Sequence, residues 1–256
     1  MQNITGQTVF LTGCSAGIGK ACAYAFAGLG ARLILTARRE ERLNEIAADI
    51  QQKHGVETLI RTLDVRDKEA VFATIEGLPT DWQNIDILVN NAGLARGTDK
   101  LQDIDPDVWD EVLDTNVKGL LAVTRAIVPG MKARGKGHII NIGSIAGHEA
   151  YPGGSVYNAS KFAVDAITKS LRMDLVETPL RVGTVDPGLV ETEFSMVRFR
   201  GDADKAKSVY KGIDACTPDD VADAVVYIAT RPPHVSINQI VVMPTAQASA
   251  LVMHRQ

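Results

Sequence analysis

Seven short apolar runs recur along this chain with amphipathic stretches between them, and that alternation leaves few folds open. The runs are TVFLTG (8–13), RLILTA (32–37), TLIRTLDV (58–65), IDILVNNAG (85–93), HIINIGS (138–144), RVGTVDPG (181–188) and NQIVVMP (238–244). Several are apolar at successive positions, as strands covered on both faces are. Helical periodicity fills the gaps, over 17–29, 40–53, 67–76, 105–134, 155–177 and 217–230. Strands alternating with helices predict an α/β chain with a doubly wound, seven-stranded parallel sheet and helices on both faces. Right-handed crossovers then fix most of the topology.

No repeat, low-complexity tract or Pro/Gly-rich linker divides the 256 residues, so one domain, 1–256, is expected. One segment breaks the alternation: LVETEFSMVRFRGDADKAKSVYKGIDAC, 189–216. It is long, charged and only partly helical in pattern, and its place after the sixth strand suits a flap over a substrate site. The alternative is a surface insertion without a role.

Net charge is −4, with no basic run, which gives no case for nucleic acid or a membrane surface as partner. No apolar run approaches the roughly 20 residues of a membrane span, and the N-terminus lacks a signal-peptide pattern. Cys14, Cys22 and Cys216 show neither C-x-x-C nor metal-ligand spacing. They read as free thiols in a reducing, cytoplasmic compartment, with no metal site. The N-x-[ST] matches at Asn3 and Asn158 are then coincidental.

Directly after the first strand comes TGCSAGIG, Thr12 to Gly19, with Gly13, Gly17 and Gly19 in G-x-x-x-G-x-G spacing and Ser15 and Ile18 between them. Glycines there let a pyrophosphate approach the N-terminus of the next helix, where free N–H groups and the helix dipole favour anions. By themselves such glycines can equally be turn residues. The second strand ends in TARREERL, with Arg38 and Arg39 where an NAD site usually offers a carboxylate to the ribose. Guanidinium groups suit a 2′-phosphate, so NADP(H) is the expected cofactor. The alternative is that these arginines simply begin a solvated helix with Glu40 and Glu41.

In SVYNASK, 155–161, Tyr157 and Lys161 lie four residues apart on one helical face. Val156, Ala163, Ile167 and Leu171 are expected as the buried stripe, with the pair at its border. An ammonium beside a phenol favours the phenolate, and a depression of ~2–3 pKa units would let the pair exchange protons near neutral pH.

These motifs together resemble the short-chain dehydrogenase/reductases over essentially the whole chain. TGCSAGIG is similar to the family's glycine loop, Asp64–Val65 to its adenine contact, and NNAG (Asn90, Asn91, Ala92, Gly93) to the segment after its fourth strand. Asn116, Ser144, the Tyr-x-x-x-Lys of YNASK, and Pro187–Gly188 with Val190 and Thr192 follow in the family's order. The resemblance implies a single-domain Rossmann fold. It implies that Tyr157 passes a proton to or from a substrate oxygen while hydride moves between the substrate carbon and the nicotinamide. Ser144 would hold that oxygen, Lys161 the nicotinamide ribose, and Asn116 a water leading to Lys161. Pro187 to Thr192 would receive the carboxamide and diphosphate.

The C-terminal half, from VDPGLVETEFSMVRFRGD to the final HRQ, resembles more narrowly the bacterial NADP-dependent 3-hydroxy acid dehydrogenases. These are also described as serine or allo-threonine dehydrogenases and as malonic or sulfoacetic semialdehyde reductases. The likeness implies a small anionic aldehyde or hydroxy acid as substrate. An anionic substrate in a cleft requires a cation, and a guanidinium offers a matching fork, so an arginine is expected to receive it: Arg198 first, and second Arg96, which stands where the closest relatives are expected to carry a neutral residue. The alternative is an arginine exposed on a charged loop. The likeness also implies a homotetramer, with the apolar tail ASALVMHRQ reaching a neighbour. Other readings are a short-chain reductase of a 3-ketoacyl, sugar or xenobiotic carbonyl, or a non-catalytic dinucleotide sensor.

Overall fold

The computed structural model describes residues 2–256. All seven runs form strands: β1 (Thr8–Thr12), β2 (Arg32–Ala37), β3 (Thr58–Thr62), β4 (Ile85–Asn90), β5 (His138–Ile142), β6 (Arg181–Pro187) and β7 (Gln239–Val242). They make one parallel sheet in the order β3-β2-β1-β4-β5-β6-β7. The winding reverses between β1 and β4, and beyond the carboxyl ends of these strands the connecting loops part to leave a crevice.

Successive strand residues point into opposite layers, which explains the unbroken apolar runs. Val9, Leu11, Leu33, Leu35, Ile87 and Val89 pack into a core with helices α1 (Gly17–Gly28), α2 (Glu40–His54) and, later in the chain, Pro218–Ala229. Phe10, Ile34, Leu88, Ile139 and Val182 fill the other face, against α3 (Lys68–Glu76) and the helix Leu120–Arg134. Helix ends follow local chemistry. The 218–229 helix starts with a capping box between Thr217 and Asp220 and has Pro218 in its first turn. Helix α2 stops at Gly55, whose φ of 65° suits glycine.

The stretch expected as one helix over 105–134 is a rod of three parts: α4 (Pro106–Leu113), a π turn (Asp114–Gly119) and α5 (Leu120–Arg134). A π turn inserts an extra residue that a 3.6-residue period does not reveal. Helix α6 (Ser155–Asp174) buries a different face from the one expected. Val156, Ala163, Ile167 and Leu171 are only half-buried. The buried residues are Asn158, Ser160, Lys161, Val164 and Thr168. Polar groups can lie inside because they are paired: Thr168 Oγ1 donates to Val164 O at 2.7 Å and accepts from Asn141 Nδ2 at 2.8 Å.

Residues 189–216 leave β6 and return to their starting point. A bridge joins Val190 to Cys216, and Glu191 N donates to Cys216 O at 2.9 Å. The excursion carries two short helices, α7 (Phe194–Arg198) and α8 (Ala203–Ser208), before α9 (Pro218–Ala229). Among the described residues no helix is long and apolar enough to cross a membrane.

The apolar tail turns back onto its own excursion rather than away from it. Gln256 N donates to Gly212 O at 3.0 Å, and Arg255 Nη1 donates to the carbonyls of Val209 and Lys211 at 3.1 and 2.7 Å.

Candidate active site

A cleft of about 540 Å³ opens over the carboxyl ends of the strands, with the 189–216 excursion as its roof. One end is built for an anion. Gly13 and Gly17 have φ of 70° and 53°, a region open to glycine and costly for other residues. A Cβ on Gly13 would lie 2.9 Å from Asn91 Nδ2 and 3.0 Å from Ala92 Cα, so the loop can sit this close to β4 only as glycine. Asn91 fastens it by donating from Nδ2 to the carbonyls of Thr12 and Gly13 at 2.9 and 3.2 Å. Helix α1 begins at Ala16 without a side-chain cap, leaving the N–H groups of its first turn for a ligand. Close packing at the glycines and an uncapped helix start fit a dinucleotide pyrophosphate. At the outer corner Arg39 donates from Nε and Nη2 to Ser15 Oγ at 3.0 and 2.8 Å, with Arg38 exposed beside it. These residues would hold the adenosine end.

The other end holds Ser144, Tyr157 and Lys161. Ser144 leaves β5 and caps a 3-10 turn (Ile145–Gly147), accepting from Ala146 N at 3.1 Å and donating to Pro187 O at 3.4 Å. Lys161 is buried, and its Nζ donates to Ile142 O at 2.8 Å and lies 5.9 Å from the Tyr157 ring centre. Burial pulls the Lys161 ammonium down to about 8, opposed by the charge of Asp186. Burial likewise pushes the Tyr157 phenol up to about 12, against the hydrogen bond of Ser144 and the positive charge of Arg198. The expected depression of the phenol by Lys161 is therefore not found in the protein's own side chains. Desolvation outweighs a lysine that is itself buried.

Asp186 is buried behind Ser144. Its Oδ2 accepts from Gln239 Nε2 at 2.6 Å and pairs with His148 Nε2 at 2.8 Å. Burial raises its carboxyl, and the His148 hydrogen bond leads the opposing effects. A Cβ on Gly143 would strike this carboxylate, so glycine is required before Ser144.

Asn116 sits in the π turn, where a widened helix frees backbone groups and re-aims a side chain. Its Oδ1 accepts from Leu94 N at 2.8 Å, and its Nδ2 donates to Leu94 O at 2.9 Å and Ser160 Oγ at 3.0 Å. Ser160 Oγ in turn donates to Tyr157 O at 2.7 Å, so Asn116 ties the loop after β4 to the Tyr157 turn.

From the roof, Phe194 lies 5.6 Å from the Tyr157 ring centre to centre. Arg198 donates from Nε to Gly97 O at 3.0 Å and from Nη2 to Tyr151 OH at 3.1 Å, which holds its guanidinium carbon 5.7 Å from the Tyr157 ring centre. A fixed cation thus faces a proton-bearing phenol across the cleft.

The short chain dehydrogenase family matches residues 7–203. The chain belongs to that family. It is 44% identical over 257 residues to the NADP-dependent 3-hydroxy acid dehydrogenase of Schizosaccharomyces pombe, covering 100% of this chain and 99% of that one. It is 46% identical to the Escherichia coli protein of the same name, covering 97% and 99%. Sulfoacetaldehyde reductase 2 of Chromohalobacter salexigens is 45% identical, covering 96% and 98%. Among solved structures, the closed form of a serine dehydrogenase complexed with NADP+ superimposes with a TM-score of 0.91 at 46% identity, covering 98% and 100%.

Within this short-chain dehydrogenase the cleft gathers most residues singled out in the sequence. Gly13, Ser15, Gly17, Ile18, Arg38, Arg39, Asp64, Val65, Asn91, Ala92, Gly93, Ser144, Tyr157, Lys161, Pro187, Gly188, Val190, Thr192 and Arg198 all line it. Four do not. Gly19 packs beneath the loop, where a Cβ would lie 2.5 Å from Gly13 O. Asn90 faces away and donates to Thr124 Oγ1 and Asn141 Oδ1 at 3.0 and 2.9 Å. Asn116 acts from behind. Arg96 is consumed by Glu111, at 2.8 Å from Nε and 2.6 Å from Nη2, and also donates to Val197 O; it braces the roof and does not line the cleft.

Sequence reasoning missed Tyr151, Tyr210, Met253 and Arg255, which line the cleft. It also missed Glu193 and Arg42, which join the roof to α2. Arg42 lies in TARREERL, and Glu193, Met253 and Arg255 lie in stretches that carry the narrower likeness, but no spacing marks any of the six as a site residue. The charged start of α2 was the one available signal, and it was read only as far as Arg39.

Proposed function

We propose that this chain interconverts small acidic aldehydes or ketones, of the malonic or sulfoacetic semialdehyde type, with the corresponding 3-hydroxy acids. It is an NADP(H)-dependent oxidoreductase acting on CH–OH and carbonyl groups, and small anionic hydroxy acids and carbonyl compounds are its substrate class. The observation that carries the finer reading is the Arg198 guanidinium held 5.7 Å from the Tyr157 ring. A three-carbon acidic aldehyde has one methylene between the reacting carbonyl carbon and its acid group. A cation and a phenol facing each other at that range suit both ends of such a molecule.

Bound NADP(H) would supply or accept the hydride at this end of the cleft. The protein supplies the rest. Tyr157 donates its proton to the substrate oxygen in reduction and takes one back in oxidation. Ser144, fixed as a cap, hydrogen-bonds the same oxygen and stabilises the charge that grows on it. Lys161 places a cation behind the phenol, and Asp186 supports that charge. Asn116 steadies the Tyr157 backbone, and a water held beside it would connect Lys161 to solvent. The 189–216 excursion serves as the substrate flap of a single 1–256 domain.

We further propose a homotetramer. Large apolar side chains are exposed on two sets of elements: Trp109, Leu121 and Phe162 on α4, α5 and α6, and Tyr227, Val241, Leu251 and Val252 on α9, β7 and the tail. Two different self-complementary faces build a closed tetramer, where one would stop at a dimer. Light scattering that returns a monomer would count against it. The free, buried Cys14 and Cys22 suit a reducing cytoplasm.

The decisive experiment follows absorbance at 340 nm with NADPH or NADH and a panel of short aldehydes, for the wild type and Tyr157→Phe. The reading expects NADPH and acidic semialdehydes to be preferred, and Tyr157→Phe to lose at least about a hundredfold in kcat/KM while still binding NADPH. A Tyr157→Phe enzyme as fast as the parent would remove the mechanism. A panel favouring neutral or bulky carbonyls would remove the substrate class.

A further inference from the structure

Glu193 opens the flap, one residue before α7, and reaches across the cleft mouth to α2. Its Oε2 lies 3.0 Å from Arg39 Nη1, and its Oε1 lies 2.7 Å from Arg42 Nη1. Arg39 directs its remaining donors at Ser15 Oγ. The corner that suits a 2′-phosphate is therefore already bridged by an anion that belongs to the flap. Burial alone would raise the Glu193 carboxyl, but Arg39 and Arg42 outweigh it and hold it below the ordinary glutamate range. All three side chains remain nearly half exposed, at 44%, 43% and 46% for Arg39, Arg42 and Glu193, so solvent and a second anion can reach them.

We infer that Glu193 is an internal competitor for the 2′-phosphate of NADP(H): it holds Arg39 and Arg42 until the phosphate takes them. The inference rests on the reading that Arg39 grips that phosphate. A carboxylate offers two acceptor oxygens and one charge. A phosphate monoester offers three oxygens and up to two charges, and it wins the guanidinium groups. If Glu193 stayed in place, its charge would oppose the phosphate at short range. Exposed ion pairs are weak, so the exchange is cheap and reversible. A dinucleotide without the phosphate has nothing to displace Glu193 with.

The test uses the full-length protein, Glu193→Gln and Arg39→Ala, with fluorescence titration of NADPH, NADH, 2′,5′-ADP and 5′-ADP. The two ADP isomers carry no nicotinamide, so activity plays no part. Arg39→Ala should weaken NADPH and 2′,5′-ADP and spare NADH. Glu193→Gln should tighten NADPH and 2′,5′-ADP about three- to tenfold and leave NADH and 5′-ADP within about twofold. Unchanged or weaker 2′,5′-ADP binding by Glu193→Gln, with the Arg39→Ala loss intact, overturns the competitor role and leaves the phosphate clamp standing. No selective loss in Arg39→Ala removes the clamp and the inference together.

Discussion

Replacing Arg198 by alanine removes the one cation that faces the Tyr157 ring from the flap. Its Nε and Nη2 are spent on Gly97 O and Tyr151 OH, while Nη1 has no hydrogen bond among the described residues and is free for a substrate anion. A hydrogen bond to a charged partner contributes about 1.5–3 kcal/mol net. At about 1.4 kcal/mol per decade this becomes roughly a 10- to 150-fold loss in kcat/KM for an acidic semialdehyde. The same substitution loosens the Gly97 loop, which any substrate would feel, so a neutral aldehyde of equal length should lose about two- to threefold. The assay is NADPH oxidation with both substrates, with Arg198→Lys as a third enzyme. Lysine keeps the charge without the planar fork and should fall between the two. Equal losses on the acidic and neutral aldehydes would refute the assignment, because Arg198 would then act on the flap alone.

His138 is buried with neither ring nitrogen hydrogen-bonded, and burial, aided by the charge of Arg181, pulls its pKa to about 3 from 6.5. The unfolded chain takes up the proton first, so stability present above pH 6.5 is lost as pH falls towards 3. Between pH 7 and 5 this amounts to about 2 kcal/mol. His138→Leu should flatten that part of a urea-melt pH profile, and an unchanged slope would exclude His138 as its source. Gly13→Ala places a Cβ against Asn91 and Ala92 at positive φ, and should weaken NADPH binding at least tenfold with a melting point several degrees lower. Retained affinity would show that the loop yields. Asp186→Asn removes the charge that opposes burial at Lys161, so the lysine pKa should fall below about 8 and the alkaline limb of kcat/KM should move to lower pH. A limb that stays in place would mean that Lys161 does not sense this carboxylate.

The sheet was readable because each strand is covered twice, which leaves apolar runs that no other element of this length requires. The runs overshoot the strands at their carboxyl ends, at Leu63–Val65, Asn91–Gly93 and Gly143–Ser144. Leu63 and Gly143 still donate to the neighbouring strands, but the chain then turns away and these residues line the cleft, half-buried or exposed at Asp64 and Asn91–Gly93. Tyr157, Lys161 and Ser144 were legible through their spacing and order. The surroundings that tune them were not. Lys161 was assigned to the border of an apolar stripe, yet it lies inside because Ile142 O accepts its hydrogen bond and Asp186 offsets its charge. A pattern of apolar letters cannot show a buried polar face that is paired by partners from other strands. Arg96 failed as a substrate ligand for the same reason: its carboxylate, Glu111, lies 15 residues away on another element. Asn90 shares a motif with Asn91 but occupies the opposite side of the pleat, and strand alternation alone could have separated them.

The widened turn at 114–119 lets a single rod answer to two neighbours. Before it, Val108 and Val112 press on Leu94; after it, Val123 and Ile127 press on the sheet. One extra residue rotates the second half by about 100° relative to an uninterrupted helix. Point changes along the rod should therefore be absorbed far better than the loss of any one residue from that turn. Such a deletion would restore a regular helix and force either the Leu94 contact or the sheet contact to face solvent, carrying Asn116 away from the backbone it clasps.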